Sequence, residues 1–452
     1  MSVSQSLADF VCRTEYGDVP REVVRKAKYA VRDFIGVTLA GSVEPISEVL
    51  RTLLQQELAK PESTVLGLGI KTTCRNAALA NGTLGHVLDY DDQDSQTIGH
   101  PSATLLPSIL AIGERERRNG KELLAAYVVG LEVECKIGLA MNPRHYRCGW
   151  HSTGTLGAFG AVAAAAKMLN LKKEEVVSAF GIVGSLASGL RQNFGTMMNA
   201  FHAGRAAENG VLAALLAKEG FTSSNQILEG EWGFFKVLEG GNKDRLRSLP
   251  QRLGRPFTLL HPGLDFKKYP SCGCTHAAMD AIISIATEQN LKESDIAEVL
   301  CRTVPLAHDT LVYRDPKTYL EAKFSLDFCL ALAFQKGEAY LADFTMHQVE
   351  DPQIRSLMEE VRVRYDKKLE KCYGVSLGAV VSVKTKDGRK FKKRVEFPKG
   401  SSKNRLTDDE FKTKFKDCAG RRLPSDRIEH LERLLSDLEN LNDISLLINE
   451  TA

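Results

Sequence analysis

A series of alanine- and glycine-rich segments with helical periodicity fills the first 250 residues, and this feature constrains the fold most. In the stretch at 19–41, Val24, Ala27, Val31, Phe34 and Ile35 fall on one helical face. The same character returns in GKELLAAYVVGLEVECKIGLAM, TLGAFGAVAAAAKMLNL, EEVVSAFGIVGSLASGL and RAAENGVLAALLAKEG. Small residues allow helix backbones to approach closely, so these segments predict a large all-helical domain.

The pattern changes after residue 261. THAAMDAIISIATEQN is helical, whereas IAEVLCRTV and the residues at 361–366 alternate as half-buried strands do. Asp387-Gly388 can form a tight turn between two strands, which predicts a hairpin. From Thr407, which has Glu410 at capping-box spacing, helical character returns. We therefore predict a mainly α protein with an α+β insertion: helices over 1–261, a smaller α+β domain over 262–398, and C-terminal helices over 399–452 that return to the first domain.

Length and charge exclude several classes of protein. A chain of 452 residues exceeds what one core usually supports, which favours two domains. The 60 Lys and Arg residues nearly balance 57 Asp and Glu residues, without long runs of one sign, which argues against a nucleic-acid partner. The chain start has no signal-peptide pattern and the longest apolar run is shorter than the roughly 20 residues that cross a bilayer. We expect a reduced cytoplasmic protein without a membrane partner.

Motifs for metals and nucleotides are weak. Cys272 and Cys274, with His276 nearby, do not have the usual two-residue gap of a zinc site, and no second Cys/His pair lies close in sequence. The glycine-rich stretches GLGI and GTLGAFGAV lack the Lys-Ser/Thr of a phosphate-binding loop. The sequence predicts no metal and no cofactor.

Four histidines occupy Gly-, Ser-, Thr- or Pro-rich junctions beside apolar helices: His100, His151, His202 and His276. Each alone is explained by a capped helix with a structural histidine. Together they favour a site for proton transfer near neutral pH. His151 precedes a predicted helix start, which can bind an anion, and Arg205 is suited to gripping a carboxylate.

The segment LDYDDQDSQTIGHPSATLLPS at 88–108 is acidic and ends in a His-Pro-Ser junction. We expect Asp89 and His100 to belong to the site, and Asp94 to lie in solvated loop.

Five ordered segments resemble the MmgE/PrpD family: DYDDQDSQTIGHPSATLLPSILAIGE, GWHSTGTLGAFGAVAAAAKMLNL, FGTMMNAFHAGRAAENGVLAALLA, KKYPSCGCTHAAMDA and YLEAKFSLDFCLALA. That family includes 2-methylcitrate dehydratase, cis-aconitate decarboxylase and iminodisuccinate epimerase. The resemblance implies a large helical domain, a smaller α+β lid, a homodimer, and cofactor-independent chemistry on a small di- or tricarboxylate.

The resemblance also implies a set of catalytic residues. Asp89 matches the first acid of the Asp-aromatic-Asp-Asp motif, His100 the histidine of His-Pro-Ser, and His151 the histidine before the glycine-rich helix. His276 matches the lid histidine, and Tyr313 lies where members carry an active-site tyrosine.

Two positions depart from the family pattern. Gln93 replaces a common Thr or Ser, and Asn199 replaces a common Lys three residues before His202. Because Asn carries no charge, Arg205 or Lys323 would have to supply a cation, or the substrate is less anionic, or the reaction differs. We expect Gln93, Asn199, His202, Arg205 and Lys323 to contact substrate.

The sequence thus predicts a lyase, either a dehydratase or a decarboxylase, that uses His, Asp and Tyr as acids and bases. Each such reaction moves a proton at a carbon beside a carboxylate, which requires a base, an acid and donors for the accumulating negative charge. An epimerase or isomerase of a dicarboxylate is the alternative within enzymes. A non-catalytic ligand-binding homologue is the alternative outside them.

Overall fold

Helices dominate the first 264 residues, as the small-residue segments predicted. The computed structural model describes residues 2–57, 59–369 and 377–452. The helices of this part are α1 (Val3–Arg13), α2 (Arg21–Gly41), α3 (Pro45–Gln56), α4 (Cys74–His86), α5 (Ser102–Glu116), α6 (Gly120–Met141), α7 (Arg144–Arg147), α8 (Ser152–Met168), α9 (Lys173–Leu186), α10 (Met197–Lys218), α11 (Phe234–Val237), α12 (Lys243–Arg247) and α13 (Leu249–Arg252). Two short antiparallel strands, β1 (Ser63–Val65) and β2 (Ile70–Thr72), lie between α3 and α4.

Helix α8 is the core of this part of the chain. All of its residues except Lys167 are buried, and it packs against α5, α6 and α9. A helix that is apolar on every side is stable only where neighbours cover it all round. The face predicted for α2 is buried as well. The alanine-rich sequence of α8 therefore specifies a central helix.

Two glycines bring α4 and α10 into backbone contact. A Cβ atom at Gly82 would lie 2.7 Å from the Cα atom of Gly204, and one at Gly204 would lie 2.1 Å from the carbonyl oxygen of Leu79. His86 ends α4 one turn after Gly82, and His202 precedes Gly204 by two residues. The close approach of the two helices therefore places both histidines in the same region of the unit.

We expect Gly204→Ala to destabilise the protein by about 1–3 kcal/mol, although Ala favours helices more than Gly does, because the facing backbone of α4 cannot make room. Urea unfolding measures the change. Gly17→Ala is the matched control, since nothing lies within 4 Å of a Cβ atom there, and it should change stability by less than about 0.5 kcal/mol. Equal stability of the two variants would contradict the close contact.

The second part combines helices with a four-stranded sheet. Its helices are α14 (Gly273–Gln289), α15 (Pro305–Thr310), α16 (Tyr319–Ala322), α17 (Leu326–Lys336), α18 (Met346–Glu350) and α19 (Pro352–Glu359). Its strands are β3 (Ile296–Thr303), β4 (Val361–Tyr365), β5 (Ala379–Thr385) and β6 (Lys390–Val395), in the order β4-β3-β5-β6. Only the β3–β4 pair is parallel.

The mainly helical fold with an α+β part is as predicted, including the strand at IAEVLCRTV and the hairpin. The hairpin turn differs in one detail: Gly388 takes a positive φ of 91°, whereas Asp387 does not. The capping box at α20 (Asp408–Gly420) also forms, since the backbone N–H of Glu410 donates to Thr407 Oγ1 and that of Thr407 donates to the Glu410 carboxylate. Two more helices follow, α21 (Ser425–Ser436) and α22 (Ser445–Asn449).

The chain divides into two compact units. The first comprises the residues up to Gln192, Met198–Leu264 and Phe411–Ala452, and the second comprises Asn193–Met197 and the described residues of Asp265–Glu410. Residues 399–410, which the sequence grouped with the C-terminal helices, lie in the second unit. Within the described ranges, no helix is both long enough and apolar enough to cross a bilayer.

Candidate active site

The acidic segment between α4 and α5 is buried. Asp89 is 3% exposed, and Asp91 and Asp92 are fully buried. The expectation that Asp94 is solvated is wrong: it is 2% exposed, and its Oδ1 accepts hydrogen bonds from the backbone N–H groups of Gln96 and Thr97. Burial raises the pKa of Asp94, and these hydrogen bonds counteract the rise. The Asp94 carboxylate thus stabilises the conformation of its own loop.

Asp91 lies between two imidazoles. Its Oδ2 is 2.9 Å from His86 Nδ1 and 3.3 Å from His100 Nδ1. Burial alone would raise the pKa of Asp91, but the charges and hydrogen bonds of the two histidines hold it well below its ordinary value. Asp91 therefore stays ionised and stabilises positive charge on either ring.

The two ring nitrogens of His100 have different surroundings. Its Nδ1–H donates to the carbonyl oxygen of Asp92 at 2.8 Å, which fixes the proton at that position. Its Nε2 then faces Asp89, with Oδ1 at 3.8 Å. The backbone N–H of His100 also donates to Thr153 Oγ1 in the first turn of α8. These contacts fix the orientation of the ring.

His151 and His202 form a second imidazole pair, with their Nδ1 atoms 3.0 Å apart. His151 is the N-cap residue of α8, and His202 lies on α10. Burial lowers the pKa of His151 well below its ordinary value, helped by the neighbouring histidines, and lowers the pKa of His202 to about 4. Both rings are therefore neutral at pH 7, so one Nδ1 donates the hydrogen bond and the other accepts it.

The two arrangements meet at His86, whose ring centroid lies 4.5 Å from that of His100 and 6.0 Å from that of His151. We call these residues the histidine–aspartate cluster: His86, Asp89, Asp91, His100, His151 and His202. Of the predicted residues, the structure thus brings together Asp89, His100, His151 and His202. The residues of the histidine–aspartate cluster lie on α4, in the loop after it, and at the starts of α8 and α10.

Sequence reasoning missed His86 and Asp91. His86 is 1% exposed, and its Nε2 makes no hydrogen bond within the described residues, so it can receive one from a ligand. The signal available in the sequence was its position at the end of a small-residue helix, directly ahead of the acidic segment. Asp91 stood among several carboxylates, and nothing in the sequence distinguished it from them.

Donor atoms of His86, Asp89, Asp91 and His100 lie within 4.8 Å of one another, a spacing that suits one metal ion. Imidazole nitrogen and carboxylate oxygen are ligands that several transition metals accept. Within this group, His86 Nδ1 and Asp91 Oδ2 are at hydrogen-bond distance, 2.9 Å, whereas His100 Nε2 and Asp89 Oδ1 are 3.8 Å apart. The geometry therefore fits a metal as well as the metal-free arrangement that the sequence predicted.

Asp92 differs from Asp91 in its protonation. Burial raises the pKa of Asp92 to about 8, with the charges of Asp33 and Asp91 adding to the rise and hydrogen bonds from Ser102 opposing it. Ser102 also hydrogen-bonds to the buried Tyr127 hydroxyl at 2.8 Å. Adjacent residues in one loop thus hold a neutral carboxyl and an ionised one at pH 7.

Asn199 and Arg205 have different surroundings. Asn199 is 7% exposed, and its Oδ1 has no hydrogen-bond partner within the described residues. Arg205, with its side chain 43% exposed, forms an ion pair with Glu208, which also binds Arg75. Gln93 is partly exposed in the acidic loop. Asn199 is thus the buried group with unused hydrogen-bonding capacity.

The remaining predicted residues lie in the second unit. His276 is buried, with Nε2 3.1 Å from the carbonyl oxygen of Ser271, and Lys323 Nζ donates to the carbonyl oxygen of Pro270 at 2.8 Å. Tyr313 donates its hydroxyl hydrogen to the Phe194 carbonyl at 2.7 Å. Their catalytic and binding roles stay predictions.

Comparison with known proteins gives matches over nearly the whole chain. The family model for the MmgE/PrpD N-terminal domain matches residues 5–247, and that for the MmgE/PrpD C-terminal domain matches residues 269–440. The cis-aconitate decarboxylase of Homo sapiens is 27% identical, covering 99% of this chain and 94% of the relative. The cis-aconitate decarboxylase-like protein oryM of Aspergillus oryzae is 26% identical (99% and 96%), and a cis-aconitate decarboxylase of Aspergillus terreus is 25% identical (99% and 95%).

Proposed function

Because this chain belongs to the MmgE/PrpD family, we propose that it is a cofactor-independent lyase that removes one carboxylate, as CO₂, from a small tricarboxylate of the cis-aconitate type. The observation that carries the proposal is the histidine–aspartate cluster, in which an ionised carboxylate supports one pair of imidazoles beside a neutral imidazole pair. Relatives named cis-aconitate decarboxylases, aligned over almost all of the chain, favour decarboxylation over the dehydration that other family members perform.

The cluster contains what such a reaction needs. When the carbon–carbon bond to a carboxylate breaks, CO₂ leaves and the electron pair passes into the remaining conjugated system. A carbon atom must then take up a proton. In this proposal His100 gives the proton from Nε2, and Asp91 and Asp89 stabilise the imidazolium before the transfer. His151 and His202 are neutral, and the ring whose Nδ1 accepts the hydrogen bond of the pair carries its proton on Nε2, from which it can donate to a carboxylate or to the developing negative charge.

Asn199 is the group we assign to substrate contact in place of the family lysine. Its amide can donate a hydrogen bond to a carboxylate or accept one from a hydroxyl, without adding charge. A neutral contact to a carboxylate is weaker than a charge-assisted one. Asn199 is therefore better suited than a lysine to a substrate that carries fewer negative charges. This observation favours, as the second candidate, an epimerase or isomerase that acts on a dicarboxylate.

Separate incubations with cis-aconitate, citrate, methylcitrate and iminodisuccinate in D₂O, followed by NMR, test the proposal. Decarboxylation of cis-aconitate supports it. Deuterium incorporation without net product identifies an epimerase, and water loss from citrate or methylcitrate identifies a dehydratase. Inertness toward all four compounds contradicts an active lyase of this substrate class and leaves the ligand-binding homologue.

Cofactor independence is tested by metal removal. We expect turnover to stay within about twofold after dialysis against EDTA, because the His–Asp contacts supply proton transfer and charge stabilisation directly. Metal analysis of the dialysed protein is the control. A loss of turnover that zinc or manganese restores would show that His86, Asp89, Asp91 and His100 hold a catalytic ion.

We also propose that the chain forms a homodimer, which rests on the family resemblance. Gel filtration with light scattering measures its mass. A monomer at micromolar concentration would contradict the proposal.

A further inference from the structure

The first unit contains a second candidate binding site, built on α2. A cavity of about 740 Å³ is lined by the side chains of Arg21, Arg25, Lys28, Arg32 and Lys121, with Glu439 as the one carboxylate in its lining. This volume lies in the range of small-molecule sites, roughly 300–1,000 Å³. Five cations face one anion, so the cavity carries a strong positive potential.

Four of the cations form one row. Arg21, Arg25, Lys28 and Arg32 follow the spacing i, i+4, i+7 and i+11, which places them on one face of α2. At a rise of about 1.5 Å per residue the row is about 16 Å long. A single phosphate or carboxylate covers only a fraction of that length. The row therefore suits an extended polyanion.

Lys28 and Arg32 are held in place by the C-terminal segment. Lys28 Nζ forms an ion pair with Glu439 and donates to the Ser436 carbonyl oxygen, and Arg32 Nη2 donates to Ser436 Oγ at 2.9 Å. Arg21 and Arg25 differ: neither has a carboxylate within ion-pair distance among the residues that the structure describes. Their guanidinium groups retain the capacity to bind two oxygens each.

An aromatic ring stands beside these charges. Tyr16 lines the cavity, and Lys121 Nζ lies 5.8 Å from the centroid of its ring. Tyr16 is partly buried, so part of its surface is exposed. An aromatic face next to arginines is the combination that binds a base together with its phosphates.

A second cavity of the same unit has a different charge balance. That cavity, of about 420 Å³, also contains several cations, but they are paired with glutamates: Lys60 with Glu62 and Lys71 with Glu114. Charges neutralised in this way bind an added anion weakly. Of these two cavities, the one on α2 has the larger excess of positive charge in its lining.

We propose that the cavity on α2 binds a small molecule that carries a chain of two or three phosphates. Arg21 and Arg25 contact phosphate at one end of the row, Lys28 and Arg32 contact phosphate at the other end, and Tyr16 provides the surface for an attached base. The site lies on residues that the proposed lyase reaction does not use, and it stands independently of that reaction.

Isothermal titration calorimetry with inorganic tripolyphosphate, ATP and AMP tests the proposal on the full chain. We expect tripolyphosphate and ATP to bind saturably with one site per chain, more weakly as salt is added, and AMP to bind at least about tenfold more weakly than ATP. Tighter binding of ATP than of tripolyphosphate assigns the base to Tyr16, and equal binding assigns recognition to the phosphates alone. AMP binding as tight as ATP binding would overturn the proposal, as would the lack of saturable binding at millimolar tripolyphosphate.

Variants locate the binding. Arg25→Glu should lower affinity for tripolyphosphate by about tenfold or more, because it replaces a charge-assisted contact with repulsion. Lys412→Glu makes the same change in net charge on an exposed helical position outside the cavity and should leave affinity within about twofold. Equal losses in the two variants would show attraction to overall charge and would overturn the proposal. Undiminished binding in His100→Ala excludes the histidine–aspartate cluster as the binding location.

Discussion

His100→Ala is expected to lower turnover by about 10²–10⁴, the usual contribution of a positioned acid or base, while the fold persists. The physical reason is the proposed role of His100 as proton donor, with its Nδ1–H bound to the Asp92 carbonyl oxygen and its Nε2 3.8 Å from Asp89 Oδ1. His151→Ala should cost a similar factor, since it removes one member of the neutral imidazole pair. Steady-state assays on the true substrate measure both effects.

His430→Ala is the matched control for these variants. His430 is in the same unit, with its side chain 47% exposed beside Glu450, and has no contact with the cluster. Its turnover should equal that of the parent protein. If His100→Ala and His151→Ala keep near-normal turnover, the two residues are structural histidines, and their replacement should then appear as lost stability in urea unfolding.

Asp91→Asn should lower turnover by about 10²–10⁴, the scale seen when the carboxylate that orients a catalytic histidine becomes an amide. Asp91 is ionised, accepts a hydrogen bond from His86 Nδ1–H, and has its Oδ2 3.3 Å from His100 Nδ1. An amide of the same shape removes the negative charge that stabilises imidazolium and presents an N–H₂ group to one of the rings. Both effects make proton donation by His100 harder.

Asp92→Asn is the control for Asp91→Asn. The two residues are neighbours in one buried loop, but the pKa of Asp92, raised to about 8 chiefly by burial, leaves its carboxyl group neutral at pH 7. Replacing it with a neutral amide therefore changes little charge there, and turnover should fall far less than in Asp91→Asn. Equal losses in the two variants would mean that loop shape, rather than the Asp91 charge, sets the activity.

Periodicity and turn chemistry were sufficient to predict much of the fold. Helix α8 is apolar on all sides, so its sequence alone requires a central position. In strand β3 the alternation of apolar and polar residues predicts which side of the strand is buried. The Thr407–Glu410 capping box is a local interaction, which sequence spacing specifies fully. Such elements depend on residues within a few positions of one another.

The features of the site that the sequence did not predict depend on how loops and helices fold together. His86 joins the cluster because Gly82 and Gly204 allow α4 and α10 to touch, a contact between residues more than a hundred positions apart. Asp94 was assigned to solvent because acidic loops are usually solvated, but its carboxylate binds backbone N–H groups of its own loop and is thereby buried. Composition does not reveal which carboxylate a chain turns inward.

The most direct measurement of the central claim is the reaction of ¹³C-labelled cis-aconitate with the protein in D₂O, followed by NMR. We expect release of one labelled CO₂ for each molecule of product, incorporation of one deuterium at carbon in that product, and loss of both signals together in His100→Ala and Asp91→Asn. Deuterium incorporation into the substrate without release of CO₂ would contradict decarboxylation. Release of CO₂ that persists undiminished in both variants would contradict its assignment to the histidine–aspartate cluster.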